Sequence, residues 1–154
     1  MPDSPLTAAG LDGMLAHRLA VAGRLLRTHA DAELSHLGVG APALGVLLRL
    51  VEEDGLTQAV LSRRQRVEAP SMCRMVDRLE REGLVERRSD PLDRRATRVH
   101  LSPAGRSLAE RGAAVVDDIE RRAFDGLDED ERRQLGHLLG RVLGELSPRG
   151  LAPS

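Results

Sequence analysis

Pro70, Ser71, Cys73, Arg74, Arg78 and Arg81, followed shortly by Asp93, Arg94 and Arg95, are the side chains whose types and spacing are best suited to binding a polyanion. At 100° per residue, Pro70, Ser71, Arg74, Asp77, Arg78 and Arg81 share one face of a helix, with Cys73 on its flank. Small or hydrogen-bonding groups at the start of such a helix, here Ser71 and Arg74, suit base edges in a major groove. Arg78 and Arg81, one or two turns on, suit phosphates. The plain alternative is a solvated helix face stitched by the i,i+4 pairs Asp77–Arg81 and Arg78–Glu82.

Charge distribution favours the first reading. Residues 62–98 hold eleven Arg against seven acids, whereas residues 1–61 hold four against seven and residues 99–154 eight against ten. A basic stripe between acidic flanks is thus hidden inside a net charge of −1. There is no lysine, and the lone cysteine, Cys73, excludes an intrachain disulfide. Arg49 interrupts the longest apolar run, and no charged start precedes an apolar stretch, so neither a signal peptide nor a membrane span is expected and a cytoplasmic location is.

Positioning those side chains requires elements that the apolar spacing supplies. Leu11, Met14, Leu15, Leu19, Ala22, Leu25 and Leu26 predict a first helix ending near His29, and "PALGVLLRLVEED" a second ending at Gly55. Thr57 is placed to cap a third over "LTQAVLSRR". In "APSMCRMVDRLERE" Met72, Met75, Val76 and Leu79 fall at i, i+3, i+4 and i+7, and Pro70 sits in the tolerated first turn. After Gly83 the pattern changes to two short strands, "LVERR" and "ATRVHLS", around the turn "SDPLDR", which puts Arg94 and Arg95 at a hairpin tip able to reach a minor groove. Ser102 with Pro103 restarts helix, and Asp128 with Glu131 has capping-box spacing ahead of a stripe of Leu135, Leu138, Leu139, Val142, Leu143 and Leu146. A tight helix–turn–helix followed by a hairpin is a winged helix-turn-helix. The expected class is mainly α with a small β-hairpin wing.

Residues 55–106, "GLTQAVLSRRQRVEAPSMCRMVDRLEREGLVERRSDPLDRRATRVHLSPAGR", resemble the MarR family of bacterial transcription regulators, with its "TQAELA" helix, "VDRLE-x-x-GLV" recognition helix, "D-x-x-D-R-R" wing and "LTPAG" continuation. The resemblance implies a homodimer reading a pseudo-palindromic operator in double-stranded DNA, usually as a repressor relieved by a small-molecule effector. It implies a helical dimerisation region over 8–34 and 102–146, a winged lobe over 38–101 and flexible tails at 1–7 and 147–154. Ser71, Cys73 and Arg74 match the family's "P-T-V-T-R" opening. Asp93 and Arg95 match the family's wing Asp and Arg, which implies that Arg95 enters the minor groove while Asp93 braces a neighbouring arginine, with Arg94 able to exchange roles with Arg95. His17 and Arg18 are candidates for an effector pocket. Two departures stand out. The usual turn "LGVS" reads Gln65-Arg66-Val67-Glu68, which calls for a different turn or a cap from Glu68, and Ala43-Leu44 replace an aromatic, a poor match to the phenolic or aromatic acids common among family ligands.

Other constellations carry less. Cys73 on a reading helix offers a redox-responsive alternative, since oxidation would set bulk or charge against DNA. His29, Asp31, Glu33 and His36 match no defined metal spacing, and no metal or other cofactor is expected. Asp117-Asp118 and the acids of 128–131 read as helix surface and capping groups; with no nucleophile elbow, phosphate loop or metal-binding helix motif, the chain is not expected to be an enzyme. A winged helix that binds a partner protein is the alternative from another class.

Overall fold

A computed structural model describes residues 10–93 and 96–146, so the tails 1–7 and 147–154 and the wing arginines Arg94 and Arg95 lie outside the described residues. The first helix departs from expectation at both ends. A single turn, Gly10–Gly13, precedes a break at Met14, whose backbone is extended, and α1 then runs Leu15–Leu34. Two glycines within four residues weaken the helix at its start. At the other end packing carries the chain past His29, because Leu34 is fully buried.

After a 3₁₀ turn over Ser35–Leu37, closed by left-handed Gly38, α2 spans Ala41–Glu52 and buries Leu44, Val46, Leu47 and Leu50. Asp31 caps it from outside, its Oδ1 accepting from the Ala41 N–H at 2.8 Å. The helix ends three residues before Gly55 because Asp54 is drawn away. Its carboxylate accepts from the Leu101 N–H at 2.7 Å and meets His100 Nδ1 at 2.8 Å. The chain then forms β1, Leu56–Thr57, a strand too short to leave a pattern in sequence.

Helix α3, Gln58–Gln65, is capped by Thr57, whose Oγ1 accepts from Val60 N–H at 3.3 Å. It stops at Arg66, which is left-handed with φ 54, and α4 follows over Ala69–Arg81. Glu68 occupies the N-cap position of α4 but makes no side-chain cap, correcting that expectation. Pro70 has already removed one N–H from the first turn. Strands β2, Val85–Ser89, and β3, Thr97–Leu101, pair antiparallel with Arg87 opposite Val99, and β1 adds to the far edge of β3, giving the order β1-β3-β2.

Ser102 starts α5, Pro103–Ala123; its hydroxyl accepts from Gly105 N–H at 3.0 Å and donates to the Gly83 carbonyl at 2.7 Å. Gly105 is obligatory here, since a Cβ would lie 2.0 Å from the Leu84 oxygen. Asp128 and Glu131 cap α6, Glu129–Leu146, reciprocally at 2.9 Å each.

The core is aliphatic, as the composition requires. Leu34, Leu44, Leu47, Leu50, Leu61, Met72, Val76, Leu79, Val85 and Val99 join α1, α2, α3, α4 and the sheet in one cluster. Helix α6 buries nothing, and Leu15, Leu19, Leu138, Val142, Leu143 and Leu146 stand exposed on α1 and α6. Among the described residues no single helix is long and apolar enough to cross a membrane.

Candidate nucleic-acid interface

The core side of α4 is fixed by Met72, Val76 and Leu79, all at most 1% exposed. That burial turns Pro70, Cys73, Arg74, Asp77, Arg78 and Arg81 outward, with Ser71 half-buried among them. Arg74 Nη2 donates to Ser71 Oγ at 3.0 Å, which orders the guanidinium at the start of the helix while leaving its other donors for a ligand. Arg78 is held by Glu82 at 2.8 Å, a hydrogen bond that raises its pKa. Arg81 Nε donates to the Asp77 carbonyl at 3.3 Å. Cys73 is exposed, its Sγ 3.8 Å from Asp77 Oδ2.

Of the two i,i+4 pairs considered from sequence, Arg78–Glu82 forms and Asp77–Arg81 does not. The Asp77 carboxylate goes instead to Arg87 on β2, at 2.5 Å, and the same guanidinium reaches Glu80 at 2.5 Å. Glu80 also accepts from the Arg87 backbone N–H at 3.1 Å. Burial disfavours the Arg87 charge, but the hydrogen bonds to Asp77 and Glu80 outweigh it and hold its pKa above the ordinary arginine value. One residue therefore fastens the wing to α4 and answers an acid on the outward face. Strand alternation carried a signal for it: Arg87 lies two residues from buried Val85, on the same face, so an arginine there needs acid partners.

Asp90 braces the base of the wing. Asp90 is 6% exposed, and its carboxylate accepts from the Leu92 N–H at 2.8 Å and from Arg98 Nε at 2.5 Å. These two donors, the Leu92 amide first, hold its pKa below the usual carboxylate value. Arg98 also donates to the Gly55 carbonyl at 2.9 Å, tying the hairpin to the end of α2. Sequence reading missed Asp90 and Arg98. The expected brace, Asp93, lies in the tip turn, where its backbone carbonyl accepts from Ala96 N–H at 2.9 Å. The arginines it was to hold, Arg94 and Arg95, fall outside the described residues.

The remaining candidates disperse. His17 faces Asp12 at 3.6 Å, and Arg18 Nε donates to the Asp12 carbonyl at 2.6 Å. Arg18, without His17, borders a cleft of about 630 Å³ between α1 and α6. A second cleft of about 490 Å³ lies between α1, α2 and α5, lined by Leu26, Leu44, Leu48, Val116 and Phe124 with Arg27 and Glu120 beside them. Of the weighed metal group, His29 donates to the Leu25 carbonyl at 2.8 Å, Asp31 caps α2, and Glu33 pairs with Arg122 at 2.5 Å. Among the described residues no cluster of His, Cys, Asp or Glu is arranged to hold a metal.

An anion-complementary helix with small and arginine residues at its start, braced to a wing, matches known proteins. A sequence model described as "MarR family" matches residues 37–96. An HTH-type transcriptional repressor of Mycobacterium tuberculosis is 30% identical over 131 residues, which span 85% of this chain and 94% of that protein. Two solved structures share the fold: a mutant of MarR from E. coli complexed with operator DNA, at TM-score 0.78 and 28% identity over 84% of this chain and 93% of that one, and CouR from Rhodococcus jostii RHA1 bound to p-coumaroyl-CoA, at TM-score 0.82 and 25% identity over 88% and 95%.

Proposed function

Because this chain belongs to the MarR family of transcriptional regulators, we propose that it is a homodimeric repressor that reads a pseudo-palindromic operator in double-stranded DNA and is released by a small molecule. What carries the reading is the outward face of α4, where Ser71 and Arg74 are ordered against each other and Arg87 neutralises the nearby acid. Ser71, Cys73 and Arg74 then meet base edges, Arg78 and Arg81 meet phosphates, and Arg94 or Arg95 enters the adjacent minor groove. The operator complex of E. coli MarR supports operator binding as the function.

Dimerisation is supported by the apolar residues that α1 and α6 leave uncovered in one protomer. Residues 8–34 and 102–146 form the dimerisation region and 38–101 the lobe. A two-fold dimer presents its recognition helices to half-sites one helical turn, about 34 Å, apart. An effector that occupies the cleft between α1, α2 and α5 biases that spacing, because the cleft lies where the lobe meets the long helices. The p-coumaroyl-CoA complex of CouR supports effector control. The mainly aliphatic lining suits a small apolar ligand with at most one charged group, for Arg27 or Glu120 to meet.

Selection of bound sequences from random duplexes, repeated at several salt concentrations, tests the reading. The expected result is a pseudo-palindrome and a steep fall in affinity as salt rises. Salt-dependent binding without sequence preference would overturn operator reading. Failure to bind DNA would put the protein-partner alternative in its place.

A further inference from the structure

Arg66 is the one non-glycine among the described residues with a positive φ, 54°, a conformation that every side-chain-bearing residue disfavours and glycine takes freely. It ends α3, with the Val67 N–H returning to the Ser62 carbonyl at 3.0 Å, and so forms the bend between the two helices of the reading head. Its side chain does something at that bend. Nη1 donates to the Leu143 carbonyl at 2.9 Å, 77 residues away in the last turn of α6. A helix C-terminus gathers outward-pointing carbonyls and the negative end of the dipole, which a guanidinium matches. Because α6 buries no residue in the protomer, this contact is a defined tie between that helix and the lobe.

We infer that Arg66 is a positioning residue: it latches the helix-turn-helix bend to α6 and so sets the angle at which the lobe offers its recognition helix. The inference rests on the dimeric, operator-reading function proposed above.

Two variants keep the bend, since both Gly and Asn accept left-handed backbone: Arg66→Gly and Arg66→Asn. The single native cysteine, exposed on α4, takes a spin label in each protomer, so the distance between recognition helices is read directly. Hydrogen exchange of the α6 C-terminal amides is followed in parallel. Both variants are expected to broaden or shift the Cys73–Cys73 distance distribution and to speed α6 exchange roughly three- to fivefold. Affinity of the unlabelled variants for the selected operator should fall about fivefold with the salt slope unchanged. Unchanged distances and exchange in both variants would overturn the latch. So would a weaker affinity with a reduced salt slope and unchanged distances, which would make Arg66 a phosphate contact. If the parent binds no operator, the functional reading fails while α6 exchange still decides the latch.

Discussion

Replacing Arg87 with Met keeps an aliphatic stem on β2 but leaves Asp77 and Glu80 unanswered. The arginine side chain is only 21% exposed, while its two partners are 49% and 40% exposed. A surface pair contributes about 0.2–1 kcal/mol, so two contacts to one mostly covered guanidinium stabilise the lobe by about 1–2 kcal/mol. Arg87→Met should therefore lower Tm by about 3–6 °C in a chain of this size. Its effect on DNA is separate. A freed Asp77 carboxylate on the outward face of α4 would, at an assumed separation of about 8 Å from a bound phosphate, be repelled by about 0.5 kcal/mol in water, hence about 1 kcal/mol over the two lobes of the proposed dimer, or roughly fivefold in Kd. That repulsion is screened, so the deficit should shrink as salt rises, as it also would for a lost phosphate contact; rescue by Asp77→Asn is what separates the two. The assay is operator binding by fluorescence anisotropy from low to high salt for the parent, Arg87→Met, Asp77→Asn and the double variant. Asp77→Asn should restore most of the affinity lost by Arg87→Met without restoring its Tm. A double variant that binds no better than Arg87→Met alone would refute the idea that Arg87 acts by neutralising Asp77.

Arg74→Ala should relax discrimination at one half-site position by about 1–3 kcal/mol, whereas Arg95→Ala should weaken binding to all sequences and lower the salt slope by about one per protomer; quantitative binding to single-base operator variants checks both. Gly105→Ala must push apart the α5 start and Leu84, whose oxygen would lie 2.0 Å from the new Cβ, and should cost on the order of 2–4 kcal/mol in urea denaturation. Burial opposes the charge of Asp54, but the Leu101 N–H and His100 prevail and hold its carboxyl below its ordinary 3.8. A depressed folded-state pKa gives stability that is fully present above the unfolded value and lost as pH falls through the lower folded one. Asp54→Asn should therefore be less stable than the parent at pH 6, the gap closing below about pH 4, as read from urea midpoints.

Elements with a long periodic face or a side-chain cap were legible in the residues themselves. Met72, Val76 and Leu79 point inward as their spacing requires, and Thr57, Ser102 and the Asp128–Glu131 pair all cap where they were placed. What escaped were features decided by partners distant in sequence. Strand β1 has two residues and exists only because Val99 and Arg98 lie beside it. The early end of α2 is set by Asp54 reaching residues 46 and 47 positions away. The brace at Asp90 was not legible because its partner Arg98 comes from the returning strand. At the bend, Arg66 replaces glycine at a left-handed position, so the turn survives without its usual signature.

The join at Ser102 has a mechanical consequence. Its hydroxyl grips both the Gly83 carbonyl and the start of α5, and Gly105 lets that start sit against Leu84. The base of the wing and a helix of 21 residues therefore move as one rigid rod about 31 Å long. Tilting such a rod by about 5° at its far end sweeps the wing through roughly 2.7 Å, close to half the width of a minor groove. In the proposed dimer, small adjustments at the far end of α5 are thus magnified at the wing, and the gearing lies in the length of α5 and the stiffness of one serine-bound corner.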